Sequence, residues 1–404
     1  MKQYTFYLTC YKSHLIIAVR DLDPKGFYMK KTIALLLVLT LAFAVFAAGA
    51  NETKTAAPAA SNKTAEELHD DMVAAAKAGG DLSIYTYSSR TAKTAAAFQE
   101  AYGIPSASTQ LKDSEMVTKV STEAAANLDG ADVILAQDGA RLYPELIATG
   151  YVTTYIPDSI KDVINERYTD PLVYEYCTKL FIYNDELGKS NVSNVWQLTE
   201  PEYAGKIQMK DAFQEGVNLN FLTMLTSPEW SQKLADAYKE LYGKDLVLTT
   251  KNAGYEWIKM FYKNCVLGKS DTTIAENVGA KGQATQLWGL FTSNKLRDKE
   301  SKNLALQPQV TMKPFAGFMY PVYAFIPSNS KNTEAAKLFL EFAYSDAGWA
   351  PYNNLIGDYS PVHPNAEDEI TLEQYTEILV VEDPVWCAEN RADVEEFIST
   401  IMSK

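Results

Sequence analysis

Short apolar runs and longer amphipathic stretches alternate along this chain from about residue 65 to the C-terminus. LSIYTYSS (82–89) is a β-type run, and RTAKTAAAFQEAYG (90–103) has helical spacing, with Ala97, Phe98 and Tyr102 on its apolar face and Gly103 as C-cap. DSEMVTKVSTEAAANLDG (113–130) predicts a helix that starts at an Asp-Ser cap, turns Met116, Val117, Val120 and Ala124 inward and stops at Gly130. ADVILAQ (131–137) is continuously apolar, the pattern of a strand covered on both faces. DGARLYPELIATG (138–150) then turns away as a helix ending at Gly150.

A second series begins near residue 174. TKLFIYND (178–185) and GKIQMKD (205–211) predict strands, with a helical turn around Trp196 between them. Residues 221–243 and 253–264 predict helices, 284–291 and 315–327 strands. EAAKLFLEFAYS (334–345) is an amphipathic helix with Ala335, Leu338, Phe339 and Phe342 on one side. The rhythm predicts an α/β fold of mostly parallel, helix-covered sheets, and roughly 340 residues suit two lobes better than one.

The N-terminus reads as an address. Met29-Lys30-Lys31 precedes the apolar run TIALLLVLTLAFAVFAA, and small-residue cleavage candidates follow at residues 45–50. Residues 1–50 are therefore expected to be a leader and signal peptide with Met29 as its natural start, and residues 51–64 a flexible tether. The mature protein would be exported, periplasmic or extracellular. Lys+Arg at 37 against Asp+Glu at 51 gives −14, a charge that repels phosphate backbones and argues against a general nucleic-acid surface. Four cysteines without CxxC spacing do not suit a zinc site or a disulfide scaffold. Of these, Cys177, Cys265 and Cys387 lie beyond the leader, and buried free thiols are the expectation for them.

Catalytic motifs are missing from the sequence. His69 sits in a charged stretch, AEELHDD, and His363 sits between Val362 and Pro364; neither neighbours a nucleophile motif, and G-x-S-x-G and H-E-x-x-H do not occur. No catalytic residue and no metal ligand is assigned.

The chain resembles the bacterial extracellular solute-binding proteins of ATP-driven importers, in their ferric-iron, hexose-phosphate and polyamine-type group. The resemblance is carried by DLSIYTYSS, AYGI, GADVILAQDGA, VTTYIPD, LFIYNDEL, VWQLTEPEYAGKIQMKD, PFAGFMYPVYAFIPSNSKNTEAAKLFLEFAYSDAGWAPY and GDYSPVHP, in order over residues 80–365. It implies a two-lobed type II periplasmic-binding-protein fold whose lobes, joined by crossing strands, close on one small ligand. Residues 65–175 and 308–350 would form the first lobe, 176–307 and 351–404 the second. It implies a monomer without a cofactor, whose partners are a small-molecule solute and the membrane permease and ATPase of the importer.

In open α/β sheets ligands bind beyond the carboxyl ends of strands. Ser88, Ser89 and Arg90 follow the first strand and suit an anionic oxygen, although either serine also reads as a helix cap. Gln137 and Asp138 end the second buried strand; Asp138 reads equally as a hydroxyl or amine acceptor and as a cap. Gly216 and Asn218 follow the strand ending at Asp211, where close backbone approach to a ligand needs glycine. Trp288, Gly317 and Tyr320 match the family segments that return to the cleft. Ferric-binding members carry adjacent tyrosines near ATQLWGLF, where this chain has Leu287, Trp288 and Gly289. The favoured solute is therefore a phosphorylated or carboxylated organic anion; ferric-iron binding and a secreted α/β hydrolase are the alternatives.

Overall fold

The computed structural model describes residues 7–11, 14–18, 64–352, 357–363 and 370–403. The chain divides into two compact units, Met1–Asn62 and Lys63–Lys404. In the first, β1 (Tyr7–Tyr11) and β2 (His14–Ala18) pair as an antiparallel hairpin. Residues 29–50, expected to be the signal segment, and 51–64, the expected tether, lie outside the described residues, save Thr64.

The second unit opens with α1 (Ala65–Gly79), capped by a reciprocal box: Glu67 N donates to Thr64 Oγ1 (3.2 Å) and Thr64 N to Glu67 Oε2 (2.7 Å). Then come β3 (Leu82–Thr86), α2 (Thr91–Tyr102), β4 (Ser106–Gln110), α3 (Asp113–Ala125), β5 (Val133–Ala136), α4 (Gly139–Leu142) and β6 (Val152–Thr153). Gly103 closes α2 at φ 73, as its sequence position predicts. Two expectations need correction here. The helix expected over 138–150 is four α residues running into a π-turn, Tyr143–Ile147, because Pro144 has no N–H to continue the ladder. The expected Asp-Ser cap is replaced by Lys112, and the helix stops at Ala125 rather than Gly130.

Next follow β7 (Val173–Tyr183), β8 (Ile207–Lys210), α5 (Gly216–Leu225), α6 (Pro228–Tyr242), α7 (Ala253–Asn264), β9 (Cys265–Gly268), α8 (Asp271–Gly279), β10 (Trp288–Thr292) and β11 (Gln307–Pro308). The single helix expected over 221–243 is two. Ser227 accepts from Trp230 N (3.3 Å) and Pro228 takes the first helical position, so a new helix starts there. The chain ends with β12 (Gly317–Pro327), α9 (Thr333–Ala343), α10 (Asp346–Tyr352), β13 (Asp358–Tyr359), α11 (Leu372–Ile378), β14 (Val380–Val381) and α12 (Pro384–Met402).

One sheet runs β4-β3-β5-β12-β7-β10-β8-β9. β4, β3 and β5 are mutually parallel, as are β10, β8 and β9, and between the two groups lie the long antiparallel strands β12 and β7. Every residue of β7 and β12 is buried, so this pair is the spine of the core. Pro321 falls between the part of β12 that pairs with β14 and the part that pairs with β5, where its missing N–H breaks no ladder.

Candidate functional site

Register places the site. The antiparallel steps from β5 through β12 and β7 to β10 reverse direction, so the two parallel groups run in opposite senses. Ala136, the end of β5, lies opposite Tyr323. Thr292, the end of β10, lies opposite Lys179, which pairs with Phe318. The carboxyl ends of both groups thus meet over the Cys177–Tyr320 pair, and a cavity of about 670 Å³ opens there with both residues in its floor.

The first wall comes from the ends of β3, β4 and β5: Tyr87 and Arg90, then Asp113, then Gln137 and Asp138. The second comes from the ends of β8, β9 and β10: Lys210 and Glu215, then Asp271, then Lys295. Arg391 reaches the cavity from α12.

Of the residues expected at the site, Arg90, Gln137, Asp138, Gly216 and Tyr320 line this cavity. The other five do not. Ser88 is buried beneath Arg90, whose Nε donates to its Oγ (3.2 Å), and Ser89 is exposed. Asn218 is buried and donates to Lys210 O (2.8 Å), tying α5 to the strand before it. Trp288 is a core residue tilted against Tyr183, ring centroids 5.0 Å apart. Gly317 serves the crossing strands: a Cβ there would lie 2.0 Å from Lys179 O.

Arg90 does not stand free for an anion. It donates to Asp358 Oδ2 (2.5 Å) and lies 3.7 Å from Glu175 Oε1, and both carboxylates are fully buried. Tyr352 donates to Glu175 (2.6 Å), Tyr87 does likewise, and Cys177 Sγ lies 3.5 Å from Asp358 Oδ1. Burial raises the Glu175 carboxyl to about 7 against the pull of Arg90. Glu175, Cys177 and Asp358 converge closely enough to share an ion. Arg90 already supplies their positive charge, which makes this a buried ion cluster under the cavity floor.

The second wall has its own buried cation. Lys179 donates to Glu215 and lies 3.1 Å from Asp271, and Lys210 donates to Glu215 (3.0 Å). Burial alone would discharge Lys179, but the Asp271 and Glu215 charges outweigh it and hold the ammonium protonated. Asp138 is answered by Arg391 Nη1 (2.7 Å). Burial raises Asp113 to about 7, opposed by its hydrogen bond from Gln137.

Lys295, Tyr320 and Gln137 are among the polar groups of the cavity that keep open valence after these pairings. The Lys295 side chain makes no hydrogen bond or ion pair among the described residues, and burial, with Arg297 nearby, lowers its pKa. Tyr320 lines the floor, its hydroxyl without a hydrogen bond among the described residues. Gln137 Oε1 is buried and unpartnered.

Sequence reasoning missed Lys295, Lys179, Glu175, Asp358 and Arg391. Charges at positions 175 and 179 inside an apolar strand, on the same face as Cys177, were a readable signal. Lys295 and Arg391 sit in polar stretches that carry no such mark. Neither His69, exposed on α1, nor His363, which meets Tyr344 O (2.5 Å) and Asp346, reaches the cavity. Cys177, Cys265 and Cys387 are free, as expected; two are buried and Cys265 is partly so.

Two opposed sets of strand ends, joined by crossing strands over one polar cavity, define a cleft-binding protein of the type II periplasmic-binding fold. Solved structures share it. Iron-bound HitA from Pseudomonas aeruginosa has a TM-score of 0.63 at 14% identity, over 80% of this chain and 99% of that one. The ferric binding protein from Campylobacter jejuni has 0.59 at 18%, over 80% and 99%. AfuA from Actinobacillus pleuropneumoniae, with fructose-6-phosphate bound, has 0.55 at 18%, over 80% and 99%. No curated protein sequence matches. Residues 93–379, more than half the chain, match the bacterial extracellular solute-binding proteins, and the chain belongs to that family.

Proposed function

We propose that this protein is the exported substrate-binding component of an ATP-driven importer and that it captures a small organic anion, phosphorylated or carboxylated, for delivery to a membrane permease. The family supports solute capture. The observation that carries the anion is Lys295, a part-buried ammonium without a partner among the described residues, facing a cavity whose buried carboxylates are paired or, at Asp113, raised towards neutrality. Beside it α8 begins at Asp271, and Ser270 and Thr272 line the same wall, so backbone N–H groups and hydroxyls can share an anionic oxygen. Gln137 Oε1 and the Tyr320 hydroxyl, across the cavity, suit a polyol. Binding shifts a population of closed molecules, so no bond to the solute need form or break.

Mass spectrometry of solute retained through gentle purification identifies the cargo, and a thermal-shift panel of fructose 6-phosphate, citrate, inorganic phosphate and ferric citrate tests its class. Lys295→Gln should weaken the best anion roughly 10- to 100-fold, the scale of a lost charge-assisted hydrogen bond. Unchanged affinity removes the anion site.

Ferric iron is the second reading, favoured by the two iron-binding proteins among the similar structures. Ferric iron prefers hard anionic oxygens, whereas Tyr87 here is committed to Glu175, and burial drives the Tyr320 phenol well above its ordinary pKa. A response to ferric citrate but not to citrate would establish it.

A further inference from the structure

The last helix lies outside the family match, which ends at residue 379, yet it reaches the cavity. α12 is seated through buried Cys387, Val394 and Ile398 and packs on both α4 and α5. α4 follows the first wall and α5 opens from the second, so one helix touches both.

Four polar side chains join where it crosses. Arg391 Nη1 donates to Asp138 Oδ1 (2.7 Å) and Asn220 Oδ1 (3.3 Å). Asn220 Nδ2, on α5, donates to Asp138 Oδ1 (3.0 Å) and Glu382 Oε2 (3.1 Å). Gly139 N, at the start of α4, donates to Glu382 Oε1 (3.0 Å). The walls touch here: a Cβ on Gly216 would sit 2.0 Å from Asp138 Oδ2. Asp138 itself has φ 70, a left-handed conformation that a non-glycine residue keeps only when its surroundings hold it.

We propose that Arg391 is a positioning residue of the solute site: with Glu382 it clasps the two walls, holding the Asp138 carboxylate of one against Asn220 of the other. Asp138 is then neutralised and turned towards the clasp, so the cavity does not present a bare carboxylate to an incoming anion. Without the clasp the first wall loses its tie to α5 and the cavity gains a negative charge. The proposal rests on the reading of this cavity as the solute site, but its test does not need a solute.

Amide hydrogen exchange on the ligand-free full chain reads the clasp. In Arg391→Gln, amides of Gly139–Leu142 and of the first turn of α5 should exchange at least tenfold faster, on both walls together. Arg391→Lys should restore most of the protection. Glu395→Gln, which removes the exposed partner of Arg391 on its own helix, should behave as wild type. If Arg391→Gln does not fold, Asp138→Asn must give the same paired acceleration. Unchanged protection at either wall, or equal acceleration in Glu395→Gln, would overturn the clasp. A failed solute screen would instead count against the proposed function and leave the exchange result standing.

Discussion

Gly317→Ala separates what holds the fold from what serves the solute. Gly317 opens β12 at φ 153, and a Cβ there would lie 2.0 Å from Lys179 O and 2.9 Å from Leu180 Cα, all backbone of the partner strand. Ordinary contact would require the strands to part by more than about 1 Å. The ladder is engaged here, since Phe181 N donates to Ala316 O (2.9 Å). Backbone strain of about 1–3 kcal/mol and overpacking of similar size add to roughly 2–6 kcal/mol, a large share of a typical domain's stability. Guanidinium unfolding followed by tryptophan fluorescence should show a markedly lower midpoint. Gly216→Ala is the contrast: its Cβ meets no backbone but the Asp138 side chain, so its cost falls on the Arg391–Asp138–Asn220 contacts rather than on the sheet. It should cost less than Gly317→Ala while loosening the walls. A Gly317→Ala midpoint within about 1 kcal/mol of wild type would refute the argument that close approach fixes the crossing strands.

Arg90→Ala should destabilise the protein by about 3–5 kcal/mol at neutral pH, because it takes the guanidinium away from the fully buried Glu175 and Asp358, and the loss should shrink as acid protonates Glu175; an unfolding midpoint close to wild type at pH 7 contradicts this. Stability should also fall as pH rises. Burial lifts Glu382 to about 8, and Glu175 and Asp113 to about 7, all above their unfolded values near 4. The folded state therefore holds protons that the unfolded state has released. Their contribution is complete below about pH 4 and is lost as pH climbs through these raised values, on the order of 5 kcal/mol for Glu382. Urea midpoints at pH 5.5 should exceed those at pH 8.5, and a rise over that interval would contradict the assignment.

The fold was legible where local pattern and tertiary role agree. The runs 82–89, 90–103 and 131–137 correspond to β3, α2 and β5, because a buried parallel strand and an amphipathic helix each carry their environment in their own residues. β7 was read too short: the strand begins at Val173, not 178, because Glu175 broke the apolar run, and its charge is tolerated there through Arg90. The site was half legible for the same reason. Arg90, Gln137, Asp138 and Gly216 follow directly on strands, so sheet geometry points to them. Lys295 and Arg391 arrive from elements whose sequence does not say which wall they face.

Charge pairing explains how a chain of net charge −14 could hold an anion. Were each acid on the cavity wall ionised and unpaired, the site would repel phosphate or carboxylate at short range, where screening is weak. Here Lys179 answers Glu215 and Asp271 from below, Arg391 answers Asp138 from α12, and burial shifts Asp113 towards its neutral form. Lys295 is a part-buried cation left without a carboxylate among the described residues. If the proposed anion reading holds, removing Lys179 or Arg391, neither of which need contact the solute, should also weaken the anion, because Asp271 or Asp138 then loses its cation.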